Sequence, residues 1–338
     1  MATIHDVAQH ARVSVGTVSR VLNEHPSVRP AVREAVLNSI RELGYFPNSL
    51  ARSLRSSRTR TLGLIVSDLN NPPSISLLRG AEDAARTAGY TVLIAESRSD
   101  VEVESLHLQA LLDRRVDGLL CAPVKSIELV ARAAETAGIP AVMVSQRVAH
   151  ARVPTAYVEE STSIIAAMDY LVDMGHRRFA MINRAGYPAG RARSLHIQAY
   201  LNAHAISTAT AAPVLWSFAH QDQCEALVTR LLLGRAAPTA LIVGGHHFLP
   251  NVLLGVRGAG MSVPRDVSLV AFGDSRWAQA LTPPVSVITD DQEQHAADAV
   301  RMLLRLIEGD ESAPRTACTP SLFLPRESCA PPPAEARP

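Results

Sequence analysis

From Thr61 onward the sequence repeats one pattern that leaves few folds open: short apolar, β-rich runs alternating with segments of helical period. TLGLIV, YTVLIA, DGLLCA and PAVMVS come first, separated by helical stretches near residues 77–88, 103–112 and 126–137. RRFAMIN, APVLWSF, TALIVG and VSLVAF then repeat the alternation. Strands joined through helices build parallel sheets with right-handed crossovers. Two such sets imply two α/β lobes, with a ligand cleft where the strand C-termini converge. An apolar content of 47% is ample for cores of that size.

The first sixty residues keep a different period. Thr3 and Asp6 form a capping-box-like start, and Ile4, Val7, Ala8 and Ala11 follow at helical spacing. Arg12-Val13 leaves room only for a tight turn, so residues 14–23, SVGTVSRVLN, make the second helix of a helix-turn-helix. Ser14 is its N-cap, and Val18, Val21 and Leu22 form an inward stripe. The other side carries Val15, Gly16, Thr17, Ser19, Arg20 and Asn23, with no carboxylate. Such a face suits a DNA major groove, where helix N-terminal residues meet base edges and an arginine can bond guanine twice. An ordinary solvated helix face has the same composition, so the flanks must decide. A third helix starts near Pro30, buries Val32, Val36, Ile40 and Leu43, and stops at Gly44. Residues 1–60 hold nine arginines, no lysine and four acids, a charge of +5, while the remaining 278 residues carry −4. A basic head on a mildly acidic body fits a polyanion-binding module joined to something else.

Other chemistry finds little support. Cys121, Cys224, Cys318 and Cys329 are scattered without a CxxC pair, which argues against a zinc site or a disulfide scaffold and suits a reducing compartment. No signal-peptide core or membrane-length apolar run is visible, so the expected location is cytoplasmic. His246 and His247 are adjacent rather than at metal-ligand spacing, GGHHF is not a nucleophile elbow, and no phosphate loop is present. His176 reads as a capping residue, and Lys125, the one lysine, lacks a Schiff-base partner. No catalytic residue, metal or cofactor is expected. The rival from another class is a small-metabolite enzyme with an accessory DNA-binding head.

TIHDVAQHARVSVGTVSRVLN, followed by VREAVLNSIRELGYFPNSLARSLR, resembles the head of the LacI family of bacterial transcription regulators over about fifty residues. The likeness extends to about Arg326 through SDLNNP, LLRGAEDAARTAGY, LVDMGHRRFAMI, VPRDVSLVAFGDS and LTPPVSVI. It implies an N-terminal all-α helix-turn-helix head plus an α/β two-lobed periplasmic-binding-protein-like core. The implied domains are a head at 1–46, a hinge helix and linker at 47–60, a core at 61–328 and a disordered tail at 329–338. Within the core, three crossings give lobe one about 61–160 and 291–320, and lobe two about 161–290 and 321–328. The resemblance places Val15, Gly16 and Arg20 at base-reading positions, and Ser14, Thr17, Asn23 and Tyr45 at phosphate contacts. Asn48 falls in the hinge helix, where Leu54 stands at the minor-groove wedge position with Arg55 beside it. The implied partners are a double-stranded, pseudo-palindromic operator, a second copy of the chain and a small-molecule effector. Two positions depart from the family: Arg12 replaces a small turn residue, and Arg29 a polar N-cap.

The cleft departs further. Pro73-Ser74 replaces the usual aromatic pair, Gly245-His246 the usual Asn-Asp, His196 the pocket arginine, and Val158-Glu159-Glu160 the usual V-D-N. Asp68, Asn71, Phe218, Asp274 and Trp277 remain at expected places, and Ser145 ends a strand at the cleft. Two imidazoles with Arg191 or Arg193 nearby could neutralise a carboxylate, which points to a sugar acid or other organic acid as effector. A neutral sugar, or a pocket that has drifted away from any ligand, stays open as an alternative.

Overall fold

The computed structural model describes residues 2–22, 25–45, 58–122, 127–145, 153–184, 188–206, 215–218 and 223–334. They divide into two compact units, Met1–Thr59 and Arg60–Pro338.

The first unit holds three helices, α1 (Ile4–His10), α2 (Val15–Leu22) and α3 (Pro30–Glu42). Thr3 and Asp6 complete the expected capping box at α1. Val7, Ala8, Val18, Val21 and Val36 form the buried centre, ringed by half-buried residues that include Leu43 and Tyr45. Beyond the last turn of α1, Arg12 sits at a φ of 53°. Its N–H donates to the Gln9 carbonyl, and the Val13 N–H to the Ala8 carbonyl at 2.9 Å. This is the reversal that normally takes glycine or asparagine in the left-handed position, which explains why a small residue is usual there. Arg29 offers no side-chain cap to α3, whose start relies on Pro30. Ser39, buried although polar, is held by His10 Nδ1 at 3.0 Å.

The second unit is the expected α/β core. Eleven strands run in the order β2-β1-β3-β4-β5-β11-β10-β9-β8-β6-β7. Lobe one contains β1 (Thr61–Val66), β2 (Thr91–Glu96), β3 (Gly118–Cys121), β4 (Ala141–Ser145) and β5 (Thr155–Glu159). Lobe two contains β6 (Phe179–Arg184), β7 (Leu215–Phe218), β8 (Ala240–Val243), β9 (Ser268–Phe272) and β10 (Ser286–Asp290). Every pairing within a lobe is parallel. Strands β1, β8 and β9 are buried on both faces, which explains why they read as unbroken apolar runs. Each lobe accordingly has apolar clusters on both sides of its sheet.

A ninefold run, β11 (Thr316–Leu324), joins the lobes. Its first part pairs in parallel with β5, placing Pro320 beside Glu159, and its second part pairs antiparallel with β10, placing Ser321 beside Asp290. The three chain crossings therefore lie side by side. They are tied together where Ser321 Oγ donates to the Glu159 carbonyl at 2.7 Å and meets Ser163 Oγ. From the β10 crossing the chain continues into α12 (Gln292–Ile307), which packs against α4 (Pro72–Thr87), the helix that follows β1. They meet backbone to backbone: a Cβ on Gly80 would lie 2.1 Å from the Glu293 carbonyl oxygen. That close approach brings the end of β10 against the start of α4, at the mouth of the cleft.

The disordered tail expected from residue 329 does not begin there. Ser328 Oγ accepts the Ser286 N–H at 2.8 Å, and the Ala330 carbonyl accepts from His176 Nε2 and Ser268 Oγ, both at 2.9 Å. His176, buried, also meets Thr239 Oγ1 at 2.8 Å, so it fastens the C-terminal segment to lobe two. Burial holds its pKa below the usual imidazole value, and the neutral ring can both donate and accept. Residues 335–338 lie outside the described residues.

Candidate functional site

Two regions concentrate side chains that the fold does not need for itself. The first is the outer face of α2. Ser14 Oγ accepts the Thr17 N–H at 3.1 Å and meets the Thr17 hydroxyl at 2.9 Å, as an N-cap should. Val18 and Val21 point into the head. Ser14, Gly16 and Arg20 are exposed, and Val15, Thr17 and Ser19 half-buried. Gly16 has an ordinary helical backbone, and a Cβ there would meet only Ser14 Oγ at 3.7 Å. Nothing inside the head requires a glycine, although glycine in a helix costs roughly 0.5–1 kcal/mol relative to alanine. Tyr45 lies half-buried against the head core. Asn23, Asn48, Leu54 and Arg55 fall outside the described residues.

The second region is a cleft between the lobes enclosing about 190 Å³. Its walls come from the start of α4 (Asn71, Pro73, Ser74), the crossings (Val158, Glu160, Asp290), the first turn of α12 (Gln292, His295) and lobe two (Arg193, His246, Phe272). At its centre Arg193, on α8 (Pro188–Ala203), forms a two-pronged pair with Glu160 through Nε (2.8 Å) and Nη2. Nη1 donates to the Gly244 carbonyl at 2.7 Å, and the guanidinium lies 4.0 Å from the Phe272 ring centroid. Both charged side chains are only 14% exposed. Among the described residues of the cleft lining, the one arginine is already matched.

The remaining titratable groups are displaced from their ordinary values in ways that follow from burial. Asp290 is pushed up to about 6 by desolvation, with the Glu160 charge adding to the effect; Gln292 Nε2 donates to it. Desolvation brings His295 down to about 4, and its Nδ1 meets Thr319 Oγ1 at 3.0 Å. His246 is likewise lowered by burial; it meets the Gly273 carbonyl at 3.1 Å and Ser275 Oγ at 2.7 Å, with the Trp277 ring centroid 4.6 Å away. A cluster of shifted groups in a cavity is the usual mark of a functional site.

The sequence-derived ligand residues divide. Asn71 and His246 line the cleft, and Asn71 Oδ1 reaches across to His247 Nδ1 at 3.2 Å. Asp274 borders an adjoining cavity but is committed to Arg326, at 2.6 and 3.0 Å, and to Gln279. Burial alone would raise its pKa, yet those bonds and the Arg326 charge hold it below the usual carboxylate value. Asp68 Oδ1 caps the Asn70 N–H at 2.8 Å, and Trp277 contributes through His246. Arg191 and His196 are exposed on α8, away from the cleft lining. They are corrected by Arg193, which shares the inward side of that helix with Ser194 and Ile197. The side chains of Ser145 and Phe218, at the ends of β4 and β7, lie outside the described residues. Asp290, Gln292 and His295 went unnoticed in the sequence; the signal was the polar run following the SVIT strand.

Among the described residues, no helix is long and apolar enough to cross a membrane. Residues 3–48 match the model of bacterial regulatory proteins of the lacI family, and residues 168–329 that of a periplasmic binding protein-like domain. The chain is 29% identical to catabolite control protein A of Priestia megaterium over 309 residues, covering 90% of this chain and 92% of that protein. It is 29% identical over 308 residues to the HTH-type transcriptional repressor PurR of Pectobacterium carotovorum, covering 90% of each. A solved complex of the transcriptional regulator CelR with cellobiose superposes with a TM-score of 0.70 at 28% identity, covering 97% of this chain and 100% of that one. The chain thus joins a head of the lacI regulatory-protein type, at residues 3–48, to a periplasmic binding protein-like core, and over nine-tenths of its length it is similar to bacterial transcriptional regulators.

Proposed function

We propose that the protein is a homodimeric transcriptional repressor that reads a pseudo-palindromic operator with two copies of α2 and is controlled by a small molecule in the cleft. The observation that carries this reading is the outer face of α2. It is uncharged or basic, and Gly16 is kept at a position where the head itself has room for a side chain. A close external surface, such as the edge of a base pair, explains that choice. Two-fold pairing of heads on two half-sites follows the geometry of helix-turn-helix dimers. Relatives named as repressors, PurR among them, support the sign of regulation. Ligand in the cleft would shift the population of lobe closures and through it the hinge segments behind the heads.

The effector reading changes with the geometry. An organic acid needed free positive charge, but Arg193 is paired with Glu160, Arg191 and His196 face solvent, and His246 is lowered toward neutrality. The serine, asparagine and glutamine side chains of the walls suit a small hydroxylated molecule better, as in the cellobiose complex of CelR.

Arg20→Ala tests the DNA half of the proposal. In a gel shift against a selected operator it should weaken specific binding by ~1–3 kcal/mol, with little change on random DNA. Equal losses on both DNAs would refute base reading by α2.

A further inference from the structure

The cleft holds two buried carboxylates and one buried guanidinium. Glu160 and Asp290 end the two crossings that flank β11, close enough that the charge of Glu160 raises the pKa of Asp290. Arg193 gives two of its donors to Glu160 and a third to the Gly244 carbonyl. Asp290 has the neutral amide of Gln292 as its hydrogen-bond donor, and among the described residues it forms no salt bridge. The helix N-terminus beside it is already capped, since Asp291 accepts the Gln294 N–H at 2.9 Å. His295 and His246 are both biased toward the neutral ring by burial, so neither supplies the missing charge. A further acceptor waits nearby in lobe two. The Asn183 side chain, 2% exposed and held between Gly190 and Gly244, has no donor for its Oδ1 among the described residues. Acceptors and negative charge are in surplus. The Arg193 charge also reaches Asp290, but its guanidinium is bonded to Glu160, so two buried carboxylates share one cation, an arrangement that a second cation would relieve.

We propose that the cleft ligand is a small hydroxylated amine, whose ammonium group is seated against Asp290 while its hydroxyls meet the serine and amide side chains of the walls. This rests on the reading of the cleft as the effector site. The volume of about 190 Å³ limits the ligand to a compact molecule. A carboxylate in the same place would face Glu160 and Asp290, and among the described lining residues the one guanidinium is already paired, so the site would discriminate by charge sign as well as by shape.

The test is calorimetry and thermal shift on the full chain without DNA, using probes matched in shape. One set is glucosamine, glucose and glucuronate; the other is serinol, glycerol and glycerate. At neutral pH the amine of at least one set should bind at least about tenfold more tightly than its neutral partner, a factor that one ion pair readily supplies. Its acid partner should bind more weakly still. Asp290→Asn, which keeps the side-chain shape, should remove the preference for the amine while leaving the melting transition cooperative. The proposal is overturned if an acid probe equals or exceeds its amine, or if neither amine shifts the melt at ~10 mM, a concentration that saturates even millimolar sites. Because DNA is absent, failure of the operator reading would appear separately: amine binding with no sequence-selective DNA binding sinks that reading and leaves the ligand class standing.

Discussion

Replacing Glu160 by glutamine isolates the charge arrangement of the cleft in one atom change. Arg193 would keep its bond to the Gly244 carbonyl and one acceptor on the new amide, but it would lose the opposing charge in a site where both side chains are 14% exposed. Breaking a buried pair from one side costs roughly 3–5 kcal/mol. Part of that is offset, because removing Glu160 relieves the repulsion that adds to the raised pKa of Asp290. Asp290 can then share the cation. A net loss of roughly 2–4 kcal/mol remains, which lowers the melting temperature of a unit of this size by about 5–15 °C. Urea denaturation and thermal melts of Glu160→Gln beside the parent read it directly. The second readout is ligand sign: with its guanidinium released, the variant should be stabilised by glucuronate more than the parent is. A variant as stable as the parent, with an unchanged response to glucuronate, would refute the view that Arg193 is neutralised by Glu160.

Arg12→Gly should stabilise the head, because the left-handed turn at φ 53° strains a side-chain-bearing residue; the gain is about 0.5–1 kcal/mol after the extra freedom of the unfolded glycine, and a lower head stability in hydrogen exchange would contradict it. Two buried groups should oppose each other in acid. His295, lowered to about 4, contributes stability that is present above its unfolded value and lost as pH falls from about 6.5 through 4, roughly 3 kcal/mol in full. Asp290, raised to about 6, contributes stability present below about 4 and lost as pH rises through 6, by a similar roughly 3 kcal/mol. The parent should therefore show a shallow profile between pH 4 and 6, whereas Asp290→Asn should gain stability steeply with rising pH. Parallel profiles for the two proteins in urea titrations would show that Asp290 is not shifted.

The head was legible because its determinants are local: a capping box four residues long, a stripe of valines at helical spacing, and a glycine at the end of α3. The eight runs that mark β1 to β4 and β6 to β9 were equally plain, most of all β1, β8 and β9, which are buried on both faces and read as continuous apolar runs. The crossings were harder. β11 alternates exposed and buried residues, contains Pro320, and changes partner halfway, so it lacks the strand–helix rhythm that revealed the others. The cleft resisted for a different reason. Choosing Arg193 over Arg191 depends on the phase of α8, a helix with apolar residues on its outer side as well: Leu195 is 63% exposed. Glu160 and Arg193 are 33 residues apart, and no local pattern announces that one cancels the other. Asp274 and Trp277, expected at the ligand, are engaged with Arg326 and His246, contacts between residues 52 and 31 positions apart that no local pattern announces. The tail from residue 329 reads as polar and proline-rich, and its start is held by long-range bonds that the local sequence does not announce, those of His176 and Ser268 to Ala330 among them.

Two copies of α2 reading DNA sequence together should leave a symmetric footprint in the sites the protein selects. Selection from a randomised pool of double-stranded DNA by the full-length chain, followed by sequencing, measures that directly. A two-fold symmetric site with half-sites about one helical turn apart should be enriched, with near-random recovery for Arg20→Ala. Recovery of unrelated sequences by the parent, or of a lone asymmetric half-site, would contradict it.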